Sequence, residues 1–566
     1  MLELLTFLAP RVVAMNYDSC FGEYTRLVQF ARCHLWEGSC ANTLCPAAMQ
    51  DGAARLLQRH LTKKNDSMPP IQRQVLQNAF DHLTSRDPTK TWTSGQWMTE
   101  RTGGSDVSQT ETAATYDPYP EANTAPLADI DERTPLGPWS ISGFKWFSSA
   151  TDSQMTILLA KTSPDKGVSA FFAPIRRYNP SLVSATGQKG GTELNGVTIQ
   201  RLKSKFGTQS LPTAELELKG MRGWLIGEEG KGIQEISTIL NITRVHTTVS
   251  SVGYLGRSLA IAKAFALVRE AGVGKGRRLP LSSHPLHMRT LANLTVDYHA
   301  MMLLVFYALY ILGLDEHRPL GSALSATPMS KLAPPPHLVT PLLRVLSSLH
   351  KSYVCENAVP AVYACMEALG GVGYLVNSES EHLNVARIFR DACVGAIWEG
   401  TTDVLAGDTV RALKHPAGGK ESLKAVDWVV RKALSPSATL SSSSTSSIFP
   451  PKTLEATKAT IARRWEDLRT KFAQETQADL LPDARQLVFQ MAEVLIAALF
   501  LVDVATAQPG MEIEAMCARY LAKKGFMNGV DANGGGIGAK QTLELDQSIV
   551  YGEGRDLEAA LASSKL

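Results

Sequence analysis

An α+β fold with segregated elements is the architecture this chain predicts, and three features carry the prediction. Apolar residues recur at three and four over 18 to 60, as in YTRLVQFARCHLWEG and MQDGAARLLQRHL, which is the period of a helix face. From about residue 91 the texture changes to short runs rich in β-branched and aromatic residues, divided by Gly, Pro, Asn and Ser clusters. From 232 long helical patterns return. Because the elements come in blocks, an alternating βαβ sheet is not expected.

In chain order, helices are expected over residues 1–90 and a β domain over 91–226, with runs such as WSISGFKWF, MTILLAKT, VSAFFAPIR and AELELKG as strands. A helical bundle follows over 227–415, with helix from 232 to about 312, from 339 to 369 and again after 402. Residues 416–451 are expected as a linker, since SPSATLSSSSTSS holds too little apolar content to pack. A helical extension covers 452–566. The stretch YHAMMLLVFYALYILG, 298 to 313, is below spanning length and contains His299, so it reads as a buried bundle helix and no membrane span is expected.

Composition narrows the function classes. Lys+Arg total 57 and Asp+Glu 54 among 566 residues, which gives no bulk electrostatic case for nucleic acid or an anionic membrane. Four of the eight cysteines fall within the first 45 residues, but none forms a C-x-x-C pair. They therefore read as reduced, partly buried thiols rather than a zinc site, and no metal is expected. MLELLTFLAPRVVAM opens with a Glu after one Leu and lacks a basic leader, so it does not read as a secretory signal. The chain ends in Ser564-Lys565-Leu566, the C-terminal address for peroxisomal import, behind the small-residue stretch ALASSKL. A peroxisomal location and an import receptor as partner are the expectation.

Four stretches carry candidate chemistry. In MTERTGGSDVSQT, 98 to 110, a Gly pair beside Ser and Thr lets backbone approach a ligand and gathers donors in one turn; it is neither a P-loop nor a Rossmann fingerprint. In SGFKWFSSATDS, 142 to 153, an indole at Trp146 can cover a flat ring, and Ser148 two residues on is expected on the same side of the strand. In MEALGGVGY, 366 to 374, glycines follow a helix and read first as its C-cap. RIFRDACVGAIWEGTTD ends on a lone carboxylate, Glu399, between Trp398 and a Gly-Thr-Thr run.

Together and in this order, MTERTGGSDV, GFKWFS, ALGGVGY and RDACVGAIWEGT resemble the acyl-CoA dehydrogenase family, over roughly residues 30 to 415. Within it TLCPAAM, the Trp of WEGT and the Glu of MEALGGVGY are similar to the AidB-type branch. The resemblance implies helical, β and helical parts in a homodimer or homotetramer, with a partial first helical domain here and FAD held by the β domain and the C-terminal helices. Met98 and Thr99 would face the flavin ring, and Gly104 and Ser105 would reach the pyrophosphate. Trp146 would pack on the ring with Ser148 near its N5 edge. Glu367, Gly370 and Gly371 would hold the adenosine side from a neighbouring subunit, Thr401 and Asp403 would contact FAD, and Arg244, beside Thr243, would line the substrate side. Glu399 would be the base that takes the α-proton of an acyl thioester, its carboxyl raised by a dry setting.

The chain also departs from that pattern. The family's Arg-x-x-Phe-Gly segment is absent from REAGVGKGRRLPLSSHPLHMRT, where Arg277 or Arg278 is the candidate substitute. Residues 420 to 566 extend past the usual core, and in the AidB-type branch the extra part is linked to DNA binding. The resemblance leaves three functions: an acyl-CoA dehydrogenase or oxidase, an AidB-like flavin-carrying DNA-associated protein, and a biosynthetic flavoenzyme acting on a non-CoA small molecule. The cations of 452–525 are interleaved with comparable acid, which reads as a mixed-charge face.

Overall fold

The computed structural model describes residues 12–18, 20–40, 42–63, 68–120, 126–128, 134–317, 327–376, 384–438, 449–506, 511–527 and 538–552. Its helices before the β block are α1 (Ala14–Asp18), α2 (Thr25–Glu37), α3 (Leu44–Leu61) and α4 (Pro70–Leu83). Strands β1 (Ser94–Trp97), β2 (Ala113–Tyr116), β3 (Trp139–Ser149), β4 (Met155–Lys161), β5 (Val168–Pro174), β6 (Arg176–Val183), β7 (Lys189–Leu194), β8 (Val197–Leu202) and β9 (Thr213–Ile226) follow. The long α5 (Gly232–Val268) leads to a hairpin, β10 (Glu270–Gly274) and β11 (Arg277–Pro280). Next come α6 (Pro285–Glu316), α7 (Pro336–Ala368), α8 (Val385–Cys393), α9 (Thr402–Lys414), α10 (Gly419–Ala433) and α11 (Pro451–Gln474). The chain continues through α12 (Gln477–Leu480), α13 (Ala484–Thr506), α14 (Met511–Lys523) and α15 (Ala539–Tyr551).

The expected segments fold into two compact units, Met1–Cys20 with Cys40–His246, and Phe21–Ser39 with Thr247–Leu566. In the first, strands β4, β2, β3, β9 and β5 pair in turn, and β5 returns to β4, closing a small barrel. Successive side chains of β4 take opposite sides of the wall. Leu158 and Ala160 point inward with Phe171, Ala173 and Leu216, while Met155, Ile157 and Leu159 pack outward with Phe172 on Leu56, Leu57 and Leu76 of α3 and α4. Strands β4 and β5 are therefore buried on both faces, and α3 and α4 share a core with the barrel.

In the second unit α2 packs on α6, and α7 is flanked by α6, α8, α9 and α10. Three sequence expectations change here. The stretch 298–313 is the middle of α6, whose 32 residues are long and apolar enough to cross a membrane, as are α5 and α13. Of the most apolar window, 50% is buried in α5, 67% in α6 and 78% in α13. The helix expected from 232 to 312 is interrupted by the β10–β11 hairpin, which turns at Gly274 and Gly276 with φ of +92° and +74°. The stretch 416–451, expected as linker, contains α10, whose Val426, Val429 and Val430 are buried. The serine run itself and the terminal Ser564-Lys565-Leu566 lie outside the described residues.

A buried carboxyl in this unit supplies a pH prediction. Glu37 is 1% exposed and is raised to about 7 by burial, against hydrogen bonds with Tyr254 and Ser250 that pull it down. A carboxyl raised in the folded state contributes stability that is full below the ordinary carboxylate value and is lost as pH rises through about 7. Urea midpoints should therefore fall between pH 5 and pH 8, and Glu37→Gln should flatten that slope. An unchanged slope in the variant would rule Glu37 out as its source.

Candidate active site

On the barrel unit, the two motifs expected to meet a ligand are joined by their backbones. The amide of Trp146 donates to the carbonyl of Thr99 at 2.9 Å. After Met98, which is buried, and Thr99, which is half-buried, Glu100 and Gly103 exchange backbone hydrogen bonds of 3.0 and 3.3 Å around a tight turn. Gly103 has no room for a side chain, since a Cβ there would lie 2.0 Å from the Asp106 carbonyl oxygen. Gly104 sits against the Thr99 methyl, 3.4 Å from where its own Cβ would be, and Gly104 and Ser105 are exposed.

Beneath this turn lies a buried ion pair that neither motif announced. Lys145 Nζ donates to Glu100 Oε1 at 2.6 Å and to the Leu159 carbonyl at 2.8 Å, and Lys145 is fully buried. Glu100 also accepts from Thr112 Oγ1 and the Glu111 amide, each at 2.6 Å. Burial pushes the Glu100 carboxyl up, but the Lys145 charge and these hydrogen bonds outweigh it and leave it below the usual range. Burial draws the Lys145 ammonium down, with Glu100 opposing. The sequence signal was a charged residue inside an otherwise apolar strand, Phe144-Lys145-Trp146.

Strand β3 does not alternate as expected. Lys145 pairs with Leu216 and Ser148 with Ala214, so three steps on β3 match two on β9, which is a bulge. Lys145 and Ser148, an odd number apart, are consequently both buried, whereas Trp146 is half-buried. Ser148 Oγ is buried without a hydrogen-bond partner, and Trp146 has the Lys203 ammonium 3.1 Å and the Arg101 guanidinium 4.5 Å from its ring centre.

In the second unit, Glu399 occupies a left-handed backbone position, φ +57°, followed by Gly400 at +98°. This is uncommon for a residue with a side chain and costs on the order of 1–3 kcal/mol. Lys351 of α7, fully buried, donates to the Gly400 carbonyl at 2.6 Å. Thr401 then caps α9, Thr402 Oγ1 donates to Glu356 Oε2 at 3.0 Å, and Asp403 is taken by Arg485 at 2.8 Å. Trp398 Nε1 is buried without a hydrogen-bond partner among the described residues. Glu367, Gly370 and Gly371 are exposed at the end of α7, sixteen residues beyond Lys351, or roughly 24 Å of helix. The fold thus gathers Glu399, Thr401 and Asp403 but not the Glu367–Gly371 group. Gly370 has φ +63°, as the C-cap reading of this glycine run requires. Arg244 is half-buried on α5 in the first unit, beside buried Thr243. Arg277 and Arg278 are exposed on the β10–β11 hairpin, where Arg278 donates to the Glu270 carbonyl.

Two family models match this chain: acyl-CoA dehydrogenase middle domain over residues 95–221, and acyl-CoA dehydrogenase C-terminal domain over 230–414. The chain belongs to the acyl-CoA dehydrogenase family. Acyl-CoA dehydrogenase family member 11 of Caenorhabditis elegans is 35% identical over 422 residues, 73% of this chain and 58% of that protein. The putative acyl-CoA dehydrogenase AidB of Escherichia coli is 29% identical over 380 residues, 67% of this chain and 58% of that protein, consistent with the AidB-type resemblance. The chain thus spans 58% of the length of each of these curated relatives. A crystal structure of C. elegans ACDH-11 in complex with C11-CoA superposes with a TM-score of 0.74 at 28% identity, over 98% of this chain and 83% of that one.

The cofactor of this family is FAD, and the barrel unit fits it on an observation of its own. Ser148, two residues beyond Trp146 on the strand tied to the Met98–Ser105 turn, carries a buried hydroxyl with no hydrogen-bond partner among the described residues. Met98, Thr99, Trp146 and Ser148 would hold the flavin ring, and the exposed Gly104-Ser105 backbone would meet phosphate oxygens. Sequence reasoning missed Lys145 and Lys351: a lysine's burial is a fact of packing, and no spacing rule shows it.

Proposed function

We propose that this family member is an acyl-CoA dehydrogenase or oxidase that introduces an α,β double bond into an acyl thioester, with Glu399 as the base. The observation that carries the reading is the Glu399 turn: a carboxylate held in a left-handed conformation by Lys351 and Gly400, beside the buried indole nitrogen of Trp398. Strain of this kind persists only where surrounding structure enforces it. The α-proton passes to a Glu399 carboxylate oxygen while the α-carbon electrons form the new bond. FAD, when bound, supplies the two-electron acceptor for the β-hydrogen. The chain's part is to place the carboxylate, which is half-buried in this structure rather than dry as expected, and to fix the ring through Met98, Thr99, Trp146 and Ser148.

An acyl-CoA substrate is supported by the related C. elegans structure solved with C11-CoA. Self-association is supported by the exposed apolar run Val372, Tyr374, Leu375 and Val376, 60–81% accessible, beside Gly370 and Gly371. A peroxisomal location rests on Ser564-Lys565-Leu566, and transfer of electrons to O2 follows from that location. Removing these three residues should move the tagged protein from peroxisomes to the cytosol, and an unchanged distribution would discard the address. DNA association is the weaker reading, because the cations of the extension are largely paired: Arg469 with Glu466, Arg485 with Asp403, Arg519 with Asp546 and Lys524 with Glu493.

The decisive experiment is anaerobic mixing of the purified flavoprotein with a panel of acyl-CoAs. Bleaching of the oxidised flavin band is the expected result. A flavin-loaded protein that no acyl-CoA bleaches would eliminate the thioester substrate and favour a non-CoA small molecule.

A further inference from the structure

One face of α7 runs along the whole segment that carries Glu399. Arg344, Ser348, Lys351 and Cys355 are spaced by four, three and four residues, which puts them on one helical stripe. Arg344 and Ser348 grip Asp408 of α9, at 2.7 Å and 2.6 Å. Cys355 lies beside Gly395, whose absent Cβ would come within 3.8 Å of its sulfur and 2.7 Å from Ser251 Oγ. Glu356, the next residue, takes the Thr402 hydroxyl. The polypeptide from Gly395 to Asp408 is therefore fastened to α7 on both sides of Glu399, and the middle fastening is the Lys351–Gly400 hydrogen bond of 2.6 Å.

That middle contact is a costly one. Lys351 is fully buried, and moving an ammonium out of water is unfavourable unless the interior answers it with strong hydrogen bonds. The carbonyl it reaches belongs to the residue after Glu399, at the point where two successive positive φ angles, +57° and +98°, reverse the chain. The Gly400 carbonyl lies in the Gly400–Thr401 peptide, and relaxing the left-handed Glu399–Gly400 turn would require rotation of that peptide together with a shift of the Glu399 backbone. A charge-assisted bond from a rigid helix opposes that rotation.

We propose that Lys351 is the positioning residue for Glu399: it locks the Gly400 carbonyl and so keeps the Glu399 carboxylate aimed at its proton. This rests on the reading of Glu399 as base, and it adds a residue that acts through the Glu399 turn. Misplacing a reacting group by about 1 Å can cost on the order of a hundredfold in rate. Binding is not altered by the same displacement, so kcat and KM should separate.

The test uses the full-length flavoprotein. Lys351→Met, which keeps the aliphatic stem and removes the donor, should retain its bound flavin spectrum. Its kcat should fall at least about tenfold with KM within about threefold, and the isotope effect with α-deuterated acyl-CoA should grow. Lys351→Arg, which keeps charge and donors, should recover part of kcat; it also serves where the methionine variant loses flavin. Turnover in Lys351→Met within twofold of wild type, with Glu399→Gln inactive, would overturn the positioning role and leave the base reading standing. Full turnover in Glu399→Gln would overturn both.

Discussion

Lys145→Met should lower the stability of the barrel unit by about 3–5 kcal/mol and weaken FAD binding with it. The substitution leaves Glu100, 4% exposed, as a buried carboxylate without its cation. Two consequences follow from where the pair sits. Glu100 directly follows Met98-Thr99, and Lys145 directly precedes Trp146, so the ion pair ties together the two segments that would hold the flavin ring. Its loss should therefore loosen the Thr99–Trp146 backbone bond as well. Glu100→Gln should also destabilise, because its single amide oxygen can replace only one carboxylate oxygen, either the one that serves Thr112 and Lys145 or the one that serves the Glu111 amide. The pH sign follows from Glu100, whose folded value is depressed: its contribution is present above the ordinary carboxylate value and lost as pH falls through the folded one. Urea titrations with and without added FAD measure both effects. A Lys145→Met protein with wild-type midpoint and wild-type FAD affinity would show that the pair is a packing accident.

Glu399→Gln should reduce kcat by roughly 10²–10⁴-fold, the range lost when a general base is removed. Glutamine is nearly isosteric with glutamate and faces the same backbone strain at φ +57°, so fold and flavin content should be unaffected. Rapid anaerobic mixing with the best acyl-CoA isolates the chemical step from reoxidation. Bleaching at the wild-type rate in the variant would remove Glu399 from the base role.

Much of the fold could be read in advance because it depends on local patterning. Short β-branched runs between about 91 and the GWLIGEEGKG segment became β1 to β9, and the Gly370 C-cap followed from glycine's access to positive φ. Where the reading stopped short, a neighbour had intervened. The MTILLAKT run resembles a buried strand in either a barrel or a sandwich, and only the return of β5 to β4 makes the wall. Alternation put Trp146 and Ser148 on one side until the bulge against β9 shifted them. Residues 419–433 lie beside a serine run that resembles linker, yet their valine face finds a core.

By itself the sequence determined the order of helical and β blocks, the glycine-bearing turn at 103–104, the helix stop at Gly370, and a lone carboxylate at Glu399 between an indole and a glycine. Those depend on backbone freedom and on side-chain period, which are properties of a few adjacent residues. The tertiary structure decided which charges go inside. Lys145 stands between two aromatic residues and Lys351 carries no mark in the one-letter string, and each becomes a buried clamp because a carboxylate 45 residues away, or a carbonyl 49 residues away, arrives to meet it. Burial raises the strength of such contacts and the cost of losing them, and burial is set by the whole chain.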